Sequence, residues 1–198
     1  CHQVIGMTEG QVYELTAFQK VLGGRRSIRR YLPNPVEPEK LRACLEAARI
    51  APSAHNTQPW RFIVVDDPEL KARLAAAAFS GIYTSSKFAA RAPVILVLLA
   101  RPGGAAVHLG SKLHRIPFHL IDMGIAGEHV VLQAEELGLA TCWMGWFSYR
   151  KVRKVLEIPR RFKVVALMPL GYAEKRPTRE PPRKTYEEIV VFNRTPRE

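Results

Sequence analysis

Pro93-Val94-Ile95-Leu96-Val97-Leu98-Leu99-Ala100 is apolar at every position, so neither face of the strand it forms can look onto water. A strand buried on both sides lies inside its sheet and has helices above and below it. The flanking chain supplies them. Pro38 occupies a first helical position, Leu41, Cys44, Leu45 and Ala48 form the apolar stripe behind it, and the helix ends before Pro52. A β-branched strand over 61–65 and a helix over 68–78 lead into the central strand. After it, a long helix over 117–137 stops at Gly138. That helix carries Leu120, Ile121, Met123, Ile125, Val130, Val131, Leu132 and Leu137 around most of its circumference, which predicts burial nearly all round. Strand 140–144, helix 149–156 and strand 163–170 follow, and a first helix over 11–22 is stopped by Gly23-Gly24.

With 198 residues, 47% hydrophobic and 24% charged, the chain reads as one domain over 1–198. Residues 1–10 are expected to be disordered or foreign to the native chain. The stretch from Ala173 to Lys184 is rich in proline and charge and opens an extended arm over 173–198. Glu188-Ile189-Val190-Val191-Phe192 regains strand character, and a strand at the end of such an arm suggests exchange onto a partner subunit. Apolar runs stop far short of the roughly 20 residues that span a bilayer, and no secretion signal is visible, so a cytoplasmic location away from membranes is expected.

Cys44 and Cys142 lie in apolar stretches without CxxC spacing and read as reduced core residues. His108, His114, His119 and His129 lack a recurrent ligand spacing, so no metal site is expected. The formal charge of +12 attracts polyanions, either nucleic acid or phosphorylated cofactors. Aromatic-interleaved RNA motifs and zinc-finger spacings are missing, and most of the charge reads as a solvated surface.

Two segments carry candidate chemistry. Arg25-Arg26-Ser27-Ile28-Arg29-Arg30-Tyr31 places guanidiniums and a hydroxyl after a helix stop, and in an extended segment Arg25, Ser27 and Arg29 share a side and can converge on one anion. Alone, it reads as a solvated basic loop. Ala51-Pro52-Ser53-Ala54-His55-Asn56-Thr57-Gln58-Pro59-Trp60 is dense in amides and hydroxyls that suit the mixed donor and acceptor edge of a planar heterocycle. Alone, it is an ordinary capped turn.

Together, RRSIRRY and APSAHNTQPWRF resemble the FMN-dependent nitroreductase family, and the likeness continues through GLATCWMGWF, KVVALMPLGYAEKRP and PPRKTYEEIV. The resemblance implies an α+β fold, a three-layer α/β/α sandwich with a central, mostly antiparallel sheet. It also implies an intertwined homodimer, the C-terminal strand exchanged between subunits, with two FMN sites at the interface. By the same resemblance Arg25, Arg26, Ser27 and Arg29 hold the FMN phosphate and ribityl chain, with Arg183 and Lys184 closing from the tail. Ser53, Ala54, Asn56 and Gln58 approach the flavin from the other subunit. Trp143, Met144 and Gly145 bring backbone to the ring, the Met144 and Gly145 backbone lying near N5. Some members carry an acidic residue where this chain has Met144, which alters the pocket more than the chemistry.

The implied activity is hydride transfer from NADH or NADPH through FMN to a nitroaromatic, quinone or similar small acceptor, in ping-pong fashion and with no catalytic side chain. The basic surface leans toward NADPH. Tyr83 and Lys87 are further flavin contacts left open, and His108 and His114 could line the substrate entrance. Trp143, Trp146 and Phe147 read as packing residues, any one of which could wall the pocket. The alternatives are a flavin-fragmenting or dehalogenating member of the same fold and, from another class, a colourless nucleic-acid-binding protein without turnover.

Overall fold

The computed structural model describes residues 14–101, 113, 115–193 and 195. Strand β2 (Val94–Ala100) is buried along its whole length. It lies between β1 (Trp60–Val65) and β4 (Lys163–Gly171), and the short β3 (Ala140–Thr141) flanks β4, giving the order β1-β2-β4-β3 with antiparallel pairings.

Alternation along β2 divides the interior in two. Val94, Leu96, Leu98 and Ala100 face the cluster built with Cys44 and Ala48 of α2 (Pro38–Arg49) and Met123, Ala126 and Val130 of α4 (Phe118–Glu136). Ile95, Val97 and Leu99 face a second cluster with Leu74 and Ala78 of α3 (Pro68–Ala78) and Val152 of α5 (Tyr149–Val155). The three-layer α+β sandwich is thus the arrangement that a doubly apolar strand demands. On β4 the facing alternation slips: Leu98 pairs with Ala166 but Leu99 with Val164. The extra residue, Val165, is a bulge, and it lets both Val164 and Leu167 serve the second cluster.

Several expectations need correction. Helix α1 spans Ala17–Gly24, six residues later than the periodicity predicts, because Thr16 and Gln19 form a capping box and the helix runs through Gly23-Gly24. Helix α4 is not buried all round, since Ile121 is 48% exposed. Strand 140–144 is cut to two residues, with Met144 rejoining the sheet by a single bridge to Leu167. The expected strand over 188–192 is not formed: Thr185 and Glu188 cap a short helix, α6 (Tyr186–Ile189), and local capping takes the backbone groups a ladder would need. Residues 81–91 form a 3-10 helix that the sequence reading left unassigned. Residues 1–10, His108 and His114, for which expectations were stated, lie outside the described residues. Among the described residues no helix is long and apolar enough to cross a membrane.

Candidate functional site

Segment 25–31 is held extended by single bridges, Ser27 to Thr141 of β3 and Tyr31 to Ala173 just past β4. Ile28 N–H donates to the Thr141 carbonyl at 3.0 Å, and Leu32 N–H donates to the Tyr172 carbonyl at 2.9 Å. Ile28 and Tyr31 are buried, and the Tyr31 hydroxyl donates to the Ile28 carbonyl at 2.7 Å. Burial pushes the Tyr31 hydroxyl far up from its usual range, so it acts as a fixed donor. With these two residues turned inward, Ser27 and Arg29 face outward.

The arm meets them from the other side. Arg25, Arg26, Ser27 and Arg29 line one cleft with Pro177, Arg179, Glu180 and Arg183; its volume is about 590 Å³, in the range of small-molecule sites. Five guanidiniums and one carboxylate thus border the same space. Arg26 is the most committed: it donates to the Gly23 and Arg25 carbonyls and approaches Glu180 at 3.5 Å, while its buried Nε has no hydrogen-bond partner. Lys184, expected beside Arg183, is not among the lining residues. Arg179 and Glu180 are, and sequence reading missed them because they sit among charges that looked like a solvated tail. The start of the arm packs on its own chain through Arg176 and Glu180.

Next to the cleft, the Thr141–Gly145 turn is fixed by α4. The Trp143 indole N–H donates to Glu128 at 3.2 Å, and its ring lies against Gly127, where a Cβ would collide with it. Burial pushes the Cys142 thiol up, opposed by Arg29, Arg25 and a hydrogen bond with Ser27, which also shows how close this turn lies to the arginines. Met144 N–H donates to the Leu167 carbonyl at 3.0 Å. That amide is already used, whereas exposed Gly145, whose carbonyl accepts from the Tyr149 hydroxyl at 3.2 Å, is not tied to the sheet through its N–H.

The 53–58 turn stands elsewhere. Ala54 N–H donates to Asp122 on α4 at 3.0 Å, and Gln58 N–H donates to Ser53 Oγ at 2.9 Å. His55, Asn56 and Gln58 all take positive φ, at 50°, 52° and 43°. Gly24, beside the arginine cleft, neighbours Glu135 at the opposite end of α4. At about 1.5 Å of rise per residue, Asp122 and Glu135 are about 20 Å apart, so one chain does not bring the turn and the cleft together.

Farther along, the Tyr83 ring lies tilted against Trp146, centroids 5.2 Å apart and planes inclined by 59°, and the Trp146 indole N–H donates to the Ile82 carbonyl at 3.1 Å. Trp146 is 55% exposed, whereas Phe147 is core. No group of three His, Cys, Asp or Glu among the described residues is placed to hold a metal ion.

The chain is an α/β/α sandwich with an arginine-lined cleft between its N-terminal loop and its C-terminal arm. The Nitroreductase family model matches residues 22–172, and the chain belongs to that family. It is 36% identical to an NADH dehydrogenase of Thermus thermophilus, over 75% of this chain and 82% of that protein. It is also 27% identical to iodotyrosine deiodinase 1 of Rattus norvegicus, over 88% and 68% of the two chains. Among solved structures, an FMN-dependent nitroreductase of Clostridium difficile superposes with a TM-score of 0.71 at 29% identity, over 88% of this chain and 98% of that one.

Proposed function

We propose that the chain is an FMN-dependent NAD(P)H oxidoreductase that works as a homodimer and reduces small oxidised acceptors such as nitroaromatics or quinones. The observation that carries this reading is the cleft in which Arg25, Ser27 and Arg29 from one segment and Arg183 from another border one space. Such a donor set suits a phosphate monoester, and the orphaned buried Nε of Arg26 fits a missing acceptor.

In this reading Arg25, Arg26, Ser27, Arg29 and Arg183 hold the phosphate and ribityl end. Gly145, whose neighbour Met144 is tied to Leu167, offers its N–H to the ring. Bound FMN supplies the hydride chemistry, accepting from NAD(P)H and returning electrons to the acceptor. The chain orients the ring, leaves one face open for both substrates in turn, and needs no acid or base pair. Ser53, Ala54, Asn56 and Gln58 complete the site from the partner, because about 20 Å of α4 separates them from the cleft of their own chain. Ile121, Ile189 and Phe192, all exposed large apolar residues of a single chain, fit a surface that a second copy covers.

The likeness to iodotyrosine deiodinase 1 favours a second reading, reductive dehalogenation of a halogenated tyrosine at the same site. An absorbance spectrum of purified protein, then anaerobic addition of NADH or NADPH, tests the flavin reading. A flavin spectrum that bleaches supports it; a protein that neither binds nor reduces added FMN refutes it. Supplying a nitroaromatic, a quinone or an iodotyrosine to the reduced protein separates the two reactions.

A further inference from the structure

Asp122 is a carboxylate placed in the core. It is 3% exposed, next in sequence to fully buried Met123, and one of its oxygens, Oδ2, is buried without a hydrogen-bond partner. Desolvating a carboxylate is unfavourable, so what its other oxygen does matters. Oδ1 accepts from Ala54 N–H at 3.0 Å, across a sequence separation of 68 residues.

Ala54 opens a turn in which His55, Asn56 and Gln58 are all left-handed without being glycine. That region is disfavoured for side chains with a Cβ and persists only where surrounding bonds over-determine it. Bonds within the turn, Gln58 N–H to Ser53 Oγ at 2.9 Å and Gln58 Nε2 to Asn56 Oδ1 at 3.0 Å, shape it but do not place it. Placement comes from its two ends. Arg61 donates to the Gln58 carbonyl at 3.2 Å from an exposed strand residue, and Asp122 grips the start from inside α4.

We propose that Asp122 is a positioning residue for the flavin site, fixing the 53–58 turn in the one geometry from which exposed Asn56 and Gln58 can reach the ring. This rests on the flavin reading above. Asp122 touches neither flavin nor substrate. It acts through the Ala54 amide, so the two residues should behave as a single device.

The test compares Asp122→Ala, Asp122→Asn, Ala54→Pro and the Asp122→Ala/Ala54→Pro double variant in the full chain. Ala54→Pro deletes the donor but sets its ring Cδ toward Asp122 Oδ1, so it is read beside the double variant, in which that oxygen is gone; the extended Ser53 before it, φ −147° and ψ 157°, suits a following proline. The readouts are FMN affinity by fluorescence titration and amide exchange of the 51–60 segment. Asp122→Ala and Ala54→Pro should each weaken FMN binding, by about tenfold if the loosened turn holds its binding geometry about a tenth of the time, and Asp122→Ala should speed exchange at the turn. Asp122→Asn, which keeps an acceptor oxygen, should recover most of both. The double variant should be no worse than the worse single one, because a shared bond can be lost only once. Unchanged FMN affinity in the single variants, or effects that simply add, overturns the proposal. Should Asp122→Ala fail to fold, Asp122→Leu, which fills the same space and removes the acceptor together with the buried carboxyl, takes its place: weakened FMN binding with faster exchange of the 51–60 segment supports the proposal, and wild-type affinity overturns it. A wild type that takes up no FMN overturns the flavin reading and this proposal with it, whereas a flavin-binding wild type with indifferent variants overturns this proposal only.

Discussion

Arg176 holds Glu135 through one guanidinium nitrogen that reaches both carboxylate oxygens, at 2.6 and 2.8 Å, while its other terminal nitrogen donates to the Leu139 carbonyl at 3.1 Å. This contact fastens the start of the arm to the end of α4, and from there Pro177–Arg183 turns over the arginine segment. Arg176→Ala should therefore loosen the arm without unfolding the sandwich. Faster tryptic cleavage at Arg179 and Arg183, together with weaker FMN binding, is the expected result. An arm as resistant as in the wild type would show that the cleft closes by other means.

Arg25 and Arg183 approach the cleft from opposite sides, and neither is shown holding the fold as Arg26 is. Replacing either by alanine should remove one charge-assisted phosphate contact, worth about 1.5–3 kcal/mol, or more than tenfold in FMN affinity. Thermal midpoints should stay near the wild type. Arg26→Ala should lower both affinity and stability, since it also breaks bonds to Gly23 and Arg25. Titrating FMN into the three variants separates these outcomes, and equal FMN affinity in Arg25→Ala, Arg183→Ala and wild type would remove the phosphate assignment.

Much of this was readable in the chain because the signals were local and periodic. The apolar run around Leu96 fixed a central strand, and the stripe from Leu41 to Ala48 fixed α2 where the structure has it. What escaped was non-local. Met144 spends its amide on Leu167, a bond that no neighbouring residue announces. Asp122 is one polar residue in a largely apolar helical stretch, and only the fold shows its oxygen at Ala54. The segment 188–192 has strand composition, yet Thr185 and Glu188 cap a helical turn there. Ile121 belongs by periodicity to a buried circumference that a single chain does not provide.

Gly127 leaves room for the Trp143 indole, and a methyl group there would overlap the ring and crowd Leu98. Gly127→Ala must then push Trp143 outward or shift α4 against the sheet. Overpacking of this kind typically destabilises by about 1–3 kcal/mol. Because Trp143 leads into Gly145, the flavin spectrum should shift as well as the denaturation midpoint fall. A variant with wild-type stability would mean that the indole can rotate away freely, which its bond to Glu128 argues against.

Cys44 is completely buried in α2, and burial pushes its thiol from an ordinary 9.0 up to about 11. The sign of the consequence follows from proton counting. Between these two values the unfolded chain has released a proton that the folded chain still holds, so stability must fall as pH rises through that window and be intact below it. Cys44→Ala removes this contribution from both states. Urea midpoints measured near pH 8 and again near pH 10.5 should drop less for the variant than for the wild type, whatever their absolute values. Equal drops would mean that the thiol ionises alike in the folded and unfolded chains, and the interior around Cys44 would then be wetter than its packing against the sheet implies.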